Sequence, residues 1–332
     1  MTIGALLLAG GLGTRLHPLT EHLPKPMIPV LGKPLLHRIV TSLVDQGIND
    51  IVMAIGYQGD IIRQYFGDGS QFGCRIRYSQ ERQPLGTGGA IGQGGSYFQQ
   101  TFLVLNADIY QDFDLSKLLS FHRQVQALTT IGLITVNDPR SYGLVELDRA
   151  RRVQRFTEKP ATVAEVTSPY VNAGLYVMEP AALAYIPPQR KTSVERETFP
   201  ALLRANEPVY GFPLQGYWHD LGTRDRYLEG HRDLLLAQGV KRQIAPGVTL
   251  ETGVKLEPPL WVGPGCRIES GAEIGPYAVL GRNCWVGSGA KIQNSVLWER
   301  VRVGNGAWVN GSVVGNDVSV PPVGSLENLL VS

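Results

Sequence analysis

Two rhythms of apolar residues divide the chain. Up to about residue 236, short apolar runs at Ile3–Ala9, Ile51–Gly56, Arg75–Tyr78, Phe102–Asn106 and Thr130–Val136 read as strands. Pro34–Gln46 and Leu115–Gln124 lie between them as helices. In the first helix Leu35, Leu36, Ile39, Leu43 and Val44 fall on one face, and Gly47 stands where a C-cap belongs. Strands alternating with helices predict an α/β domain whose mixed, mostly parallel sheet is covered on both faces. Ligands of such sheets bind at the carboxyl ends of the strands.

From about residue 240 the helical spacing disappears and an aliphatic residue recurs every six positions. Val248, Val254 and Leu260 form one run; Val262, Ile268, Ile274, Leu280, Val286 and Ile292 form a second in strict step. Leu297, Val303 and Val309 follow, then Val314 and Val320. This period predicts a parallel β-helix in which each short strand stacks on the one a coil earlier, aliphatic side chains inward. Glycine often follows the aliphatic residue, as in Leu280-Gly281 and Val286-Gly287, where it is expected to permit the turn between faces. The frame slips near Pro259 and at Gln293–Ser295, so one or two irregular turns are expected there. The domains expected are therefore residues 1–236 and 240–332.

With 43% apolar and 18% charged residues, the chain can bury a full core, and a net charge of +2 leaves no dominant field for nucleic acid. Cys74, Cys266 and Cys284 lack zinc-ligand or disulfide spacing. No apolar run is long enough for a signal or membrane segment, so a cytoplasmic protein without membrane contact is expected.

The chemistry concentrates where strands end. Residues 6–16, LLLAGGLGTRL, run from a strand into a glycine turn. The turn lacks the Gly-Lys-Ser/Thr ending of a Walker A loop, and also the third glycine and downstream acid of a dinucleotide fingerprint. What remains is Gly10, Gly11 and Gly13, whose amides can approach phosphate oxygens, followed by Arg15. Lys25 lies between Pro24 and Pro26, which restrict its backbone and aim its side chain.

GGLGTRL followed by PKPM resembles the sugar-nucleotide pyrophosphorylases, the sugar-1-phosphate nucleotidyltransferases. The likeness continues through LGTGGAI (85–91), VLNAD (104–108), YGLVELD (142–148), FTEKP (156–160), VNAGLYVM (171–178), SVERETFP (193–200) and YWHDLG (217–222). It implies a Rossmann-like nucleotidyltransferase domain followed by a left-handed β-helix. The implied reaction is attack of a sugar-phosphate oxygen on the α-phosphorus of a nucleoside triphosphate. Positioning and electrostatics should carry its rate, because the nucleophile is already an anion. The resemblance makes Ala9, Gly10, Gly11, Gly13, Thr14, Gly86 and Thr87 nucleotide-binding, with Arg15 on the β/γ-phosphates and Lys25 near the α-phosphate. Asp108 and Asp220 become ligands of Mg²⁺, whose usual shell is a few carboxylates with phosphate oxygens and water. Gly143, Glu158, Lys159 and Asn172 fall on the sugar-phosphate side, with Lys159 on phosphate and Glu158 accepting from hydroxyls.

Five residues before Gly86, where thymidylyl- and uridylyltransferases carry glutamine, this chain has Glu81. A carboxylate only accepts, and guanine offers adjacent N1–H and N2–H donors, so GTP is favoured over UTP or dTTP. The stretch from Gly56 to Ile91 also resembles guanylyltransferases of mannose- or heptose-type 1-phosphates, making mannose 1-phosphate the first choice and glucose 1-phosphate its rival. Two other classes compete: a non-catalytic sugar-nucleotide sensor and an acyltransferase. Retention of Arg15, Lys25, Asp108, Lys159 and Asp220 speaks against the first, and the lack of histidine beyond residue 240 against the second. Aromatic residues such as Trp298 and Trp308 are expected on the β-helix surface, where they could support a homo-oligomer.

Overall fold

The computed structural model describes residues 3–11, 13–237, 239 and 242–332; residue 240, where the second domain is expected to start, lies outside them. The chain packs as two compact units. One joins the residues up to Gly11 to Arg38–Trp218; the other joins the segment ending at His37 to His219–Ser332.

The first unit is built on a nine-stranded sheet. In chain order its strands are β1 (Gly4–Leu8), β2 (Asp50–Ile55), β3 (Arg75–Gln80), β4 (Phe102–Asn106), β5 (Thr129–Thr135), β6 (Gly143–Leu147), β7 (Val153–Glu158), β8 (Tyr170–Met178) and β9 (Val209–Pro213). The spatial order is β7-β6-β8-β4-β1-β2-β3, with β5 pairing β8 and β9. Strands β4, β1, β2 and β3 run parallel. Their carboxyl ends therefore open on one side, at Gly10, Glu81 and Asp108. Strand β8 brings in the antiparallel half through β4, β5 and β6. Strands β1, β2 and β4 are buried almost throughout, as expected of strands covered on both faces.

The helices follow their apolar stripes. Leu35–Asp45 and Leu115–Gln124 agree with the expected spans to within a residue, and Asp114 caps the second by accepting the Ser116 amide. A helix the apolar pattern does not announce, Gly86–Gly95, packs on the sheet through its glycines: a Cβ on Gly94 would lie 2.5 Å from Leu6.

In the second unit, three parallel sheets of short strands form the faces of a left-handed β-helix. Its interior is the expected column, with Val262, Ile268, Ile274, Leu280, Val286, Ile292, Leu297, Val303, Val309, Val314 and Val320 buried. Two details differ from expectation. Pairing shortens from 18 residues per coil (Leu260 with Ala278) to 17 (Leu280 with Leu297), so the slip at Gln293–Ser295 is a tighter corner that later coils keep. Gly275 does take a positive φ of 101°, but at Gly281 the glycine is needed for space: a Cβ would meet the Trp298 carbonyl of the next coil at 2.4 Å. The left-handed backbone of that corner falls two residues later, on Asn283. Trp298 is also not on the surface; it is 3% exposed and donates its indole N–H to Tyr227, whereas Trp308 is exposed. Among the described residues no helix is long and apolar enough to cross a membrane.

Candidate active site

In the second unit the glycine turn brings basic side chains onto one carboxylate. Gly13 has φ +64°, and a Cβ there would lie 2.8 Å from that of Lys25, so the turn can close on the lysine only with glycine. The Thr20 hydroxyl donates to the Gly13 carbonyl at 3.0 Å and ties the turn down. Thr14–Leu16 form a 3₁₀ turn that buries Leu16 and leaves Thr14 and Arg15 exposed. Lys25 opens a second such turn directly after Pro24 and is 5% exposed.

Lys25 Nζ lies 3.7 Å from Asp220 Oδ1, and Arg226 Nη1 lies 2.7 Å from Asp220 Oδ2. A Cβ on Gly222 would lie 2.6 Å from Arg15 Nη2 and 2.7 Å from Asp220 Oδ1, which places the Arg15 guanidinium at the same spot. Lys25 and Arg226 thus pair with a carboxylate that is 8% exposed, and Arg15 stands beside Gly222 at its edge. Arg226 was not a sequence candidate; it lies outside the quoted motifs, and only the fold of the helix Arg224–Ala237 turns it onto Asp220.

In the first unit, Ala9 extends the sheet by donating its amide to Ala54 at 2.8 Å, and Gly11 has open space beside it. Gly10 lies against Glu81: a Cβ on it would be 2.8 Å from Glu81 Oε1. Glu81 Oε2 accepts the Leu85 amide at 2.9 Å, closing the loop ahead of Gly86 and committing one of the two oxygens expected to read the base. Burial raises the Glu81 carboxyl above the usual range, against the lowering effect of that hydrogen bond.

The turn after Glu81 is laced to the segment 190–198. Gly88 donates its amide to the Thr192 carbonyl and the Val194 amide donates to Thr87 Oγ1. The Thr87 and Ser193 hydroxyls both donate to Glu195 Oε2 at 2.7 Å. Glu195 is a second residue the sequence reading missed as a site candidate, although it stands in SVERETFP. It lies in the first turn of a five-residue π-helical stretch, Val194–Thr198, a form common near functional sites.

On the sugar-phosphate side, Gly143 and Glu158 are paired across β6 and β7, and a Cβ on Gly143 would lie 2.9 Å from Glu158 Oε2. The Glu158 carboxyl is raised, first by burial and then by the charge of Glu195, with Lys159 and Arg196 opposing. Lys159 has a left-handed backbone, φ +52°, uncommon for a residue with a side chain. Its side chain is 60% exposed, with Nζ 3.8 Å from Glu158 Oε1. Asn172 is partly committed: Oδ1 accepts the Gly174 amide at 2.9 Å and Nδ2 donates to the buried Tyr176 hydroxyl at 2.8 Å. One further hydrogen on Nδ2 and one lone pair on Oδ1 are left to it.

Asp108 is half-buried in the turn after β4, whose strand end is fixed by the Ala107 amide donating to Leu8. It belongs to the first unit and Asp220 to the second. Both offer hard carboxylate oxygens. That donor chemistry fits magnesium better than zinc.

Residues 4–236 match the family model for nucleotidyl transferases. The chain belongs to the nucleotidyl transferase family. Residues 243–332 match the model of the GMPPB C-terminal domain. Among curated relatives of this nucleotidyl transferase, a mannose-1-phosphate guanylyltransferase of Mycobacterium tuberculosis is 40% identical over 75% of this chain and 67% of its own length. A mannose-1-phosphate guanyltransferase of Emericella nidulans is 37% identical over 98% of this chain and 90% of its own. A crystal structure from Bacillus anthracis, described as a glucose-1-phosphate thymidylyltransferase, shares the fold with a TM-score of 0.63 at 23% identity, over 73% of this chain and 97% of its own.

Proposed function

We propose that this nucleotidyl transferase joins GTP to mannose 1-phosphate in a magnesium-dependent reaction, giving GDP-mannose and pyrophosphate. The observation that carries the reading is the pairing of Lys25 and Arg226 with one buried carboxylate, with Arg15 beside Gly222, in a chain whose curated relatives are named for this reaction.

A phosphate oxygen of the sugar 1-phosphate attacks the α-phosphorus, a P–O bond forms, and the bond to the bridging oxygen breaks to release pyrophosphate. Arg15 grips the β- and γ-phosphates and Lys25 stands near the α-phosphate, preorganised by burial and by Asp220. Removing one such group costs on the order of 3 kcal/mol of barrier, about a hundredfold. Asp108 and Asp220 would hold magnesium, which when bound polarises phosphoryl oxygens and neutralises charge on the leaving group. Lys159 binds the sugar phosphate, while Glu158 and Asn172 meet the hydroxyls. The second oxygen of Glu81 accepts from a guanine N–H, and Ala9–Gly11, Gly13, Thr14, Gly86 and Thr87 line the nucleotide. Residues 1–236 form the catalytic domain and 240–332 the attached β-helix.

The test is a matrix of GTP, UTP, dTTP and ATP against mannose, glucose and heptose 1-phosphates, scored by pyrophosphate release, for the native chain and Glu81→Gln. GTP with mannose 1-phosphate should give the highest kcat/KM, and the variant should lose preference for GTP over UTP by about tenfold. Highest activity with UTP or dTTP and glucose 1-phosphate would overturn the substrate assignment.

A further inference from the structure

The segment that carries Arg15 and Lys25 is anchored on the β-helix by buried polar groups, all within the second unit. Tyr227, on the helix Arg224–Ala237, is 1% exposed. Its hydroxyl donates to the Pro29 carbonyl and accepts the indole N–H of Trp298 at 3.1 Å. One helical turn on, His231 Nδ1 donates to the Tyr227 carbonyl at 2.8 Å and Nε2 accepts the Leu31 amide at 3.3 Å, an arrangement that needs the neutral ring. Apolar contacts frame these bonds: Trp261 presses to 2.4 Å from where a Cβ on Gly32 would be, and Leu19 lies against Gly315.

Apolar contact alone would hold the segment without fixing its register. A buried hydroxyl, an indole N–H and a carbonyl are costly unless each finds its partner, so together they admit one seating. Pro29 lies directly beyond the turn Lys25–Met27, which aims the buried Lys25 at Asp220.

We infer that Tyr227 is a positioning residue for nucleotidyl transfer. The chain of Trp298, Tyr227 and Pro29 sets where the Lys25 turn stands, and the β-helix is thereby a working part of the phosphate site. The inference rests on the reading that Arg15 and Lys25 grip the triphosphate.

The experiment compares the full chain with Tyr227→Phe, Trp298→Phe, the double variant, Lys25→Ala, and Ile292→Val as a control in the apolar interior of the β-helix. Tyr227→Phe should lower kcat about tenfold or more while the KM for sugar 1-phosphate stays within about twofold. The double variant should be little worse than Tyr227→Phe, because both changes break one chain of bonds. Ile292→Val should lower the thermal midpoint and keep kcat. Native kcat in Tyr227→Phe, fully multiplicative effects in the double variant, or loss of kcat in Ile292→Val in step with its midpoint would each overturn the inference. Native kcat in Lys25→Ala would instead defeat the triphosphate reading, and the inference would fall with it.

Discussion

At the scale of single residues, environment matters more than residue type. Glu158 and Lys159 are neighbours in sequence, yet the carboxylate is mostly buried and the ammonium largely exposed. Burial and Glu195 raise the Glu158 carboxyl, so the folded state holds its proton to higher pH than the unfolded chain. Its contribution to stability is therefore present below the ordinary carboxylate value and is lost as pH rises through the raised one. If Glu158 accepts from sugar hydroxyls as proposed, activity runs the other way, because protonation turns one of its acceptor oxygens into a donor. The KM for sugar 1-phosphate should begin to climb above the usual carboxylate range as pH falls. Glu158→Gln should remove that limb and raise the KM at neutral pH about tenfold; an acid limb unchanged in the variant would assign it to another group. Asp108→Asn should abolish magnesium-dependent turnover at unchanged thermal midpoint, and retained turnover would exclude Asp108 as a ligand.

Elements show where local preference gives way. Glycine costs about 1 kcal/mol per position in a helix interior, so GTGGAIGQGG is a poor helix by propensity. It forms one over Gly86–Gly95 because the backbone can then lie close to Leu6, Leu85 and Thr192. Its first turn is fixed from outside, through Thr87 and Glu195. Thr87→Val should leave the Val194 amide and the Glu195 carboxylate without that hydroxyl, raising the nucleotide KM several-fold and costing about 1–3 kcal/mol of stability. Chemical denaturation with steady-state kinetics reads both, and a stability loss with native KM would make the clamp purely structural.

For the whole molecule, two separate hydrophobic clusters, one under the nine-stranded sheet and one inside the β-helix, predict two unfolding transitions. Ile292→Ala removes buried volume from the second cluster alone and should cost about 2–5 kcal/mol. Calorimetry should show one transition moving and the other staying; equal movement of both would mean that the clusters unfold as one.

Much of this was legible in the residues. The six-residue period determines the β-helix, since only a stacked coil gives every such position the same interior. The continuous apolar runs determine buried strands, and the glycine turn with Arg15 and Lys25 is the motif on which the proposed anion site rests. These are local or periodic signals, carried by neighbours along the chain. Tertiary structure alone decided that Arg226 turns onto Asp220, that Glu195 holds Thr87, and that Trp298 is an internal donor to Tyr227. Each joins groups remote in sequence or lying on different elements, and no pattern of spacing encodes which side chains the fold brings face to face.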